Sequence, residues 1–426
     1  MRRCLAVPTL SYVSRACAVR RARVTHVNTA HKRHSFAHKN SSSRAMTHDD
    51  AACARAPAFR FGLLADIQYC DQDDRKNITG TQMRRYRNTL RVAERAVRYF
   101  NAQSGALDFC VHNGDITDHQ CAFDFANDDF RPVEHGREDL GAVMKILSES
   151  SCDEWVFTVG NHELYNFTRE ELRDGVATPG AKLEFKCANE RGDFYYSFAP
   201  GPGWRVMVLD PYEVSIYRKG RQQGLCEEAV ELLRQYNPNV DVYVNENPDV
   251  IETERMSGTF PYFKDLEGLQ GRWVPFNGGL GKKQLEWARE TIRSAAASGE
   301  KVLILTHLLV HPDSTAKRSG KTLMWDYDEL LEIIESDDAK GCVKCVISGH
   351  QHEGTRWRCE KTGTYYIGME SPMLAEDASP GPFAIVNVYD DEIVFEGYGR
   401  NEDSKMFPYD AKSPPTDPMQ CTLTLK

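Results

Sequence analysis

The run Phe59-Arg60-Phe61-Gly62-Leu63-Leu64-Ala65-Asp66-Ile67-Gln68-Tyr69 sets the reading of the whole chain. It is apolar for the length of one strand and then breaks into a carboxylate and a carboxamide two residues apart. On an extended backbone, side chains two apart point the same way, so the break presents Asp66 and Gln68 together at a strand end.

Working outward, four more apolar runs of strand length end on metal-capable side chains. Leu107 to His112 precedes Gly114-Asp115, and Glu154 to Val159 precedes Gly160-Asn161-His162-Glu163. Val302 to Thr306 precedes His307, and Val343 to Ser348 precedes Gly349-His350-Gln351-His352, where His350 and His352 form a second pair. Further strands are expected at Arg205 to Leu209, Tyr365 to Gly368, Ala384 to Tyr389 and Ile393 to Tyr398. Helical periodicity lies between them, at Thr81 to Asn101, Leu140 to Ser148, Lys282 to Ala297 and Tyr327 to Ser336. Strands alternating with helices define a layered α/β fold, in which ligands at the carboxyl ends of adjacent strands converge on one crevice. The glycines before Asp115, Asn161 and His350 are expected to let the chain turn sharply off its strand. A single such element is as well explained by a turn or a helix cap; all of them in order are not.

The 426 residues carry a formal charge of -9, unevenly spread. Residues 1–48 hold ten Lys and Arg and no acid, so the remainder has 43 basic against 62 acidic side chains, a net of -19. A body that acidic repels polyphosphate backbones, which argues against nucleic-acid binding and means that an anionic substrate needs cations. No apolar stretch is long enough to span a bilayer. Thirteen Cys without regular spacing fit a reducing compartment, and Cys342 and Cys345 are expected as buried structural thiols.

Residues 1–57 are expected to be an Arg/Ser-rich extension, either a mitochondrial or plastid transit peptide or a disordered stretch with Met46 as the real start. Residues 58–400 are expected to form the catalytic domain, with a long insertion over 212–280, and 401–426 a tail.

The set D-x-Q, G-D, G-N-H-E, H and G-H-x-H resembles the calcineurin-like metallophosphoesterases, and Gln68 in place of the usual His is similar to their manganese-dependent ADP-ribose/CDP-alcohol diphosphatase family. Ala65 to Tyr69, Arg84 to Arg87, Gly160 to Phe167, Phe276 to Gly279 and Trp325 to Tyr327 match it further. Leu309 departs from it, standing where the family commonly has Pro. The resemblance implies a four-layer αββα sandwich of two mixed sheets flanked by helices. It implies one ion on Asp66, Gln68, Asp115 and His352 and a second on Asp115, Asn161, His307 and His350, with Asp115 bridging. Three oxygen donors and one imidazole make the first site hard, favouring Mn²⁺ or Mg²⁺ over Zn²⁺.

The activity implied is hydrolysis of ADP-ribose to AMP and ribose 5-phosphate, and of CDP-alcohols such as CDP-choline and CDP-glycerol to CMP and a phosphoalcohol, by in-line attack of metal-activated hydroxide. His162 is expected to face the phosphate as a catalytic group, oriented by Asp118, for which a helix cap or surface carboxylate is the bland reading. Asn277, Gly278 and Gly279 are expected to cover the nucleoside, against the alternative of an ordinary turn. Tyr69, Phe167 and Trp325 are candidates to stack on a base, and equally for the core. His112 and His311 are expected not to be ligands. The same ligands would serve a phosphomonoesterase or cyclic-nucleotide phosphodiesterase, and a non-catalytic scaffold on this fold would have lost several of them. The protein is expected to act as a monomer on small nucleotide diphosphates, in the cytoplasm by resemblance or in an organelle by its leader.

Overall fold

The computed structural model describes residues 55–426 except 78–80, 104, 119–132, 179–180, 184, 187–192, 221–222, 242–262, 400–403 and 408–419. The expectation for residues 1–57 therefore lies almost wholly outside the described residues. Residues 55–426 form one compact unit.

Sixteen strands are described: β1 (Phe59–Leu64), β2 (Arg75–Lys76), β3 (Met83–Arg84), β4 (Phe109–His112), β5 (Trp155–Phe157), β6 (Val176–Thr178), β7 (Ala181–Leu183), β8 (Tyr196–Phe198), β9 (Trp204–Val208), β10 (Lys301–Leu305), β11 (Val343–Ser348), β12 (Glu353–Arg358), β13 (Tyr365–Glu370), β14 (Phe383–Val388), β15 (Ile393–Tyr398) and β16 (Gln420–Leu425). Two six-stranded mixed sheets carry the fold, in the orders β16-β15-β14-β1-β4-β5 and β12-β13-β11-β10-β9-β8. In the first, β1, β4 and β5 run parallel. In the second, β9, β10, β11 and β13 do.

Alternation along the strands explains how the sheets stack. Phe59, Phe61 and Leu63 of β1 pack with Val206, Leu303 and Ile347 of the other sheet in one apolar core. The residues between them face helices. Gly62 lies under Phe100 of α1 (Asn88–Asn101), where a Cβ would come within 2.7 Å of the ring. That helix buries Val92, Ala93, Ala96, Val97 and Phe100, a stripe at helical spacing. The other α-helices among the described residues are α2 (Val133–Leu147), α3 (Asn161–Asn166), α4 (Arg169–Asp174), α5 (Glu227–Tyr236), α6 (Gly281–Ala297) and α7 (Tyr327–Ile334). The architecture is the expected pair of mixed sheets with helices.

Several local expectations shift. The helix expected from Thr81 starts at Asn88, because β2 and β3 form a hairpin over its first turn. The tail supplies β16, which pairs antiparallel with β15 and buries Leu423 and Leu425. β12 escaped the sequence reading because an edge strand with one wet side carries little apolar signal; its last three residues are exposed. The insertion over 212–280 is closed at its root by paired backbone bonds between Val214 and Gly279, 2.9 and 2.8 Å.

Candidate metal centre

Five parallel strands deliver the candidate ligands, β1, β4 and β5 from one sheet and β10 and β11 from the other. The extended-backbone argument for pairing Asp66 with Gln68 does not hold. The strand ends at Leu64, and Asp66 (φ 49°), Gln68 (φ 43°), Asp115 (φ 59°) and His350 (φ 64°) all sit in the left-handed region. They are four of the eight described non-glycine residues that do so, a conformation costing roughly 1–3 kcal/mol each that concentrates where function demands it. Of the three glycines expected to free a turn, Gly114 (φ 86°) does. Gly160 and Gly349 are there for space. A Cβ would come within 2.1 Å of Asp115 Oδ1 and 2.5 Å of Asp66 Oδ2 respectively.

Asp115 is fully buried at the centre. Its Oδ2 lies 3.1 Å from His307 Nε2 and accepts Gln68 Nε2–H at 2.9 Å, while Oδ1 accepts the His162 amide at 2.9 Å. Asp66 accepts the His350 amide on both oxygens, at 2.9 and 3.1 Å, and lies 3.8 Å from His352 Nε2. Tyr212 Oη is 3.1 Å from Asn161 Oδ1, and Asn277 Oδ1 is 3.0 Å from His350 Nε2.

Two side chains hold the frame without being ligands, and sequence reasoning passed over both. Glu163 caps three backbone N–H groups at once, Asp115 (2.9 Å), Ile116 (2.7 Å) and Gly160 (2.7 Å), locking the β4 and β5 loops together. Asn113 spans the two sheets, donating to the carbonyls of Thr306 (2.8 Å) and Ile347 (3.1 Å). Their signal was present as G-N-H-E and H-N-G-D, but only a structure shows what each side chain reaches.

The donor set fits divalent cations. His307 Nδ1–H donates to the Asn113 carbonyl (2.9 Å), which leaves Nε2 with its lone pair facing inward. Both that Nε2 and Gln68 Oε1 are buried without a hydrogen-bond partner, an expensive state for polar atoms unless something else meets them. Donor atoms of Asp115, His307 and His350 lie within 4.8 Å of one another. The charges agree. Burial raises the Asp66 carboxyl well above the usual carboxylate range, with Asp115 adding to it. Burial lowers the His307 pKa, yet Asp115 overrides it and pushes the imidazole up to about 9, so the buried carboxylates draw positive charge to this point.

Around these residues opens a cleft of about 200 Å³. Gln68, Asp115, Asn161, His350 and His352 border it, with His162. His162 Nδ1 is 3.9 Å from Asp118 Oδ2, beyond hydrogen-bond length, and Asp118 is fully buried, so the bland reading of a surface carboxylate is excluded. Tyr69, Phe167, Asn277, Gly278 and Gly279 are all buried and none lines the cleft. Tyr69 extends strand pairing to Thr117, and Phe167 and Trp325 belong to the core. Gly278 and Gly279 back onto the Pro211 carbonyl and the Asp326 carboxylate. The walls are instead Arg84, Tyr165 and Phe276.

His112 is a core residue, held neutral by burial, with a pKa down to about 3. His311 lies apart from the centre, grouped with Glu335 and Cys359, its Nδ1 accepting the Asp313 amide at 3.1 Å. Cys342 and Cys345 are buried free thiols. Leu309 donates its N–H to the Thr322 carbonyl at 3.1 Å, a bond that Pro at this position cannot make.

Facing sheets whose parallel strand ends meet at one buried carboxylate, ringed by imidazoles, an amide and a second carboxylate, define the dinuclear-metal phosphoesterase class. A family profile of calcineurin-like phosphoesterases matches residues 59–354. Proteins named manganese-dependent ADP-ribose/CDP-alcohol diphosphatase are similar over most of their length. The one from Arabidopsis thaliana is 31% identical over 82% of this chain and 97% of its own, and that from Oryza sativa 32% over 83% and 96%. The crystal structure of a dimetal phosphatase from Danio rerio superposes with a TM-score of 0.65 at 26% identity, covering 87% of this chain and all of the other. The chain thus belongs to the calcineurin-like phosphoesterases and, within them, to the family of these diphosphatases.

Proposed function

We propose that this protein is a manganese-dependent hydrolase of the diphosphate bond in ADP-ribose and CDP-alcohols, with residues 58–400 and the added strand β16 as its catalytic unit. The observation that carries the reading is the buried Asp115 carboxylate set between Gln68 and His307, each of which keeps one donor atom unpaired and turned inward. Asp66, Gln68, Asp115 and His352 are assigned to one ion, and Asp115, Asn161, His307 and His350 to the other. Two divalent ions, when bound, supply the Lewis acidity that activates water and neutralises the phosphates.

The chain's own residues do the rest. His162 borders the cleft with Nε2 3.8 Å from Asp115 Oδ2, where it can hydrogen-bond a phosphate oxygen and hand a proton to the leaving group. Arg84 is the one Arg or Lys lining the cleft among the described residues, and its guanidinium suits the second phosphate of a diphosphate. Tyr165 and Phe276 offer aromatic faces to a base or ribose. Among the described residues no helix is long and apolar enough to cross a membrane.

The test is to incubate the protein with ADP-ribose, CDP-choline and p-nitrophenyl phosphate under Mn²⁺ and under Mg²⁺, and to identify the nucleotide released. AMP and CMP are the expected products. Hydrolysis of the monoester alone would replace this reading with a phosphomonoesterase.

A further inference from the structure

Asn277 stands at the carboxyl root of the insertion, two residues before Gly279, and is fully buried. Its Nδ2 donates to the backbone carbonyls of Arg272 (3.1 Å) and Lys321 (3.0 Å). Both amide hydrogens are therefore committed, and the amide has one orientation. Its Oδ1 faces His350 Nε2 at 3.0 Å, and a carbonyl oxygen only accepts, so Nε2 must carry the hydrogen. The nitrogen left with a lone pair is Nδ1.

We infer that Asn277 is a positioning residue that fixes the tautomer and rotation of His350, so that this imidazole meets the second ion through Nδ1. His307 shows the complementary arrangement. There the acceptor behind the ring is the Asn113 carbonyl, the hydrogen sits on Nδ1, and Nε2 faces inward. Which nitrogen each histidine offers is set by what stands behind it. The other root of the insertion does a matching job: Tyr212 reaches Asn161, a ligand expected for the same ion, and the Val214–Gly279 backbone pair ties the two roots together. The segment that was expected to cover the substrate thus braces one metal site from behind.

The inference rests on the two-metal reading, and the experiment separates their failures. In the Mg²⁺-loaded full chain, long-range ¹H–¹⁵N NMR of the histidines, assigned with His350→Gln, is expected to show His350 protonated on Nε2. Mn²⁺ titration followed by EPR is expected to give two ions for wild type, and for Asn277→Leu one site of wild-type affinity and one weakened by about 10–100-fold. Asn277→Asp keeps an acceptor toward His350 and loses the two donations behind it, so it is expected to melt lower while binding Mn²⁺ like wild type. A proton on Nδ1 of His350, two wild-type sites in folded Asn277→Leu, or equal Mn²⁺ losses in both variants would overturn the inference. A wild-type chain that binds fewer than two ions would overturn the two-metal reading itself.

Discussion

Asp115 Oδ2 and His307 Nε2 meet at 3.1 Å, although one follows β4 of the first sheet and the other β10 of the second. The contact is the point at which the two sheets share their chemistry. Donor atoms of Asp115, His307 and His350 all lie within 4.8 Å of one another, close enough to share one cation at that point.

If a cation sits at that point, it binds the folded chain and not the unfolded one. Saturating Mn²⁺ is then expected to raise the melting temperature, with stabilisation of about 2.7 kcal/mol at a hundredfold excess over Kd. Asp115→Ala should abolish this shift and lower turnover by more than about 100-fold, since even changes behind a ligand cost about 10–100-fold. Differential scanning calorimetry with and without a chelator checks it, and a shift retained in the variant counts against a bridging Asp115.

Gln68 gives its N–H to Asp115 at 2.9 Å and keeps a bare oxygen. Gln68→His replaces a hard donor by imidazole and is expected to move the preference from Mn²⁺ toward Zn²⁺. Competition titration with both metals measures the ratio; an unchanged ratio means that donor hardness does not set the choice.

Removing only the Tyr212 hydroxyl deletes its 3.1 Å contact with Asn161 and leaves the ring's packing intact. Tyr212→Phe should cost about 0.5–1.5 kcal/mol, or roughly 2- to 13-fold in affinity for one of two Mn²⁺ ions, with a much smaller change in melting temperature. Isothermal titration of both sites is the check.

Gly160 has an ordinary φ, so strain is not its reason for being glycine; space is, because a Cβ would come within 2.1 Å of Asp115 Oδ1. Gly160→Ala is expected to destabilise by about 1–3 kcal/mol and to displace Asp115. Denaturant unfolding together with Mn²⁺ titration reads both effects, and a neutral result would mean that the loop gives way freely.

Arg84 is expected to separate substrates rather than to catalyse. It lines the cleft together with His352, and its charge helps burial hold that imidazole down, at about 3. Arg84→Gln is expected to raise KM for ADP-ribose by roughly 10-fold or more, an energy of about 1.4 kcal/mol or more that suits a lost charge-assisted hydrogen bond, and to spare p-nitrophenyl phosphate. Equal losses on both would assign Arg84 to the metal site instead.

Much of this was legible in the chain. Apolar runs ending in Asp66, Asp115, Asn161, His307 and His350 announced both the layered fold and the residues that converge, because strand periodicity and strand-end chemistry are local properties. The reason given for the first pair was nonetheless wrong, since Asp66 and Gln68 come together through left-handed turns beyond the strand and not along it. The surroundings of the expected substrate contacts were less legible. Tyr69, Phe167 and Asn277 look in sequence like any polar or aromatic residue near a motif, and whether such a side chain faces a cleft or a core depends on segments far away.

By itself, then, the sequence determined the central strands of both sheets, which side chains end them and which donors they offer, as each of these follows from the residue and its immediate neighbours, while the edge strands β8, β12 and β16 were not legible in it. Only the tertiary structure decided that Arg84, Tyr165 and Phe276 wall the cleft, and that Asn277 and Tyr212 stand behind the ligands. Burial and hydrogen-bond direction are fixed by packing between segments distant in the chain. Asn277 and His350, 3.0 Å apart in space, are separated by 73 positions in sequence.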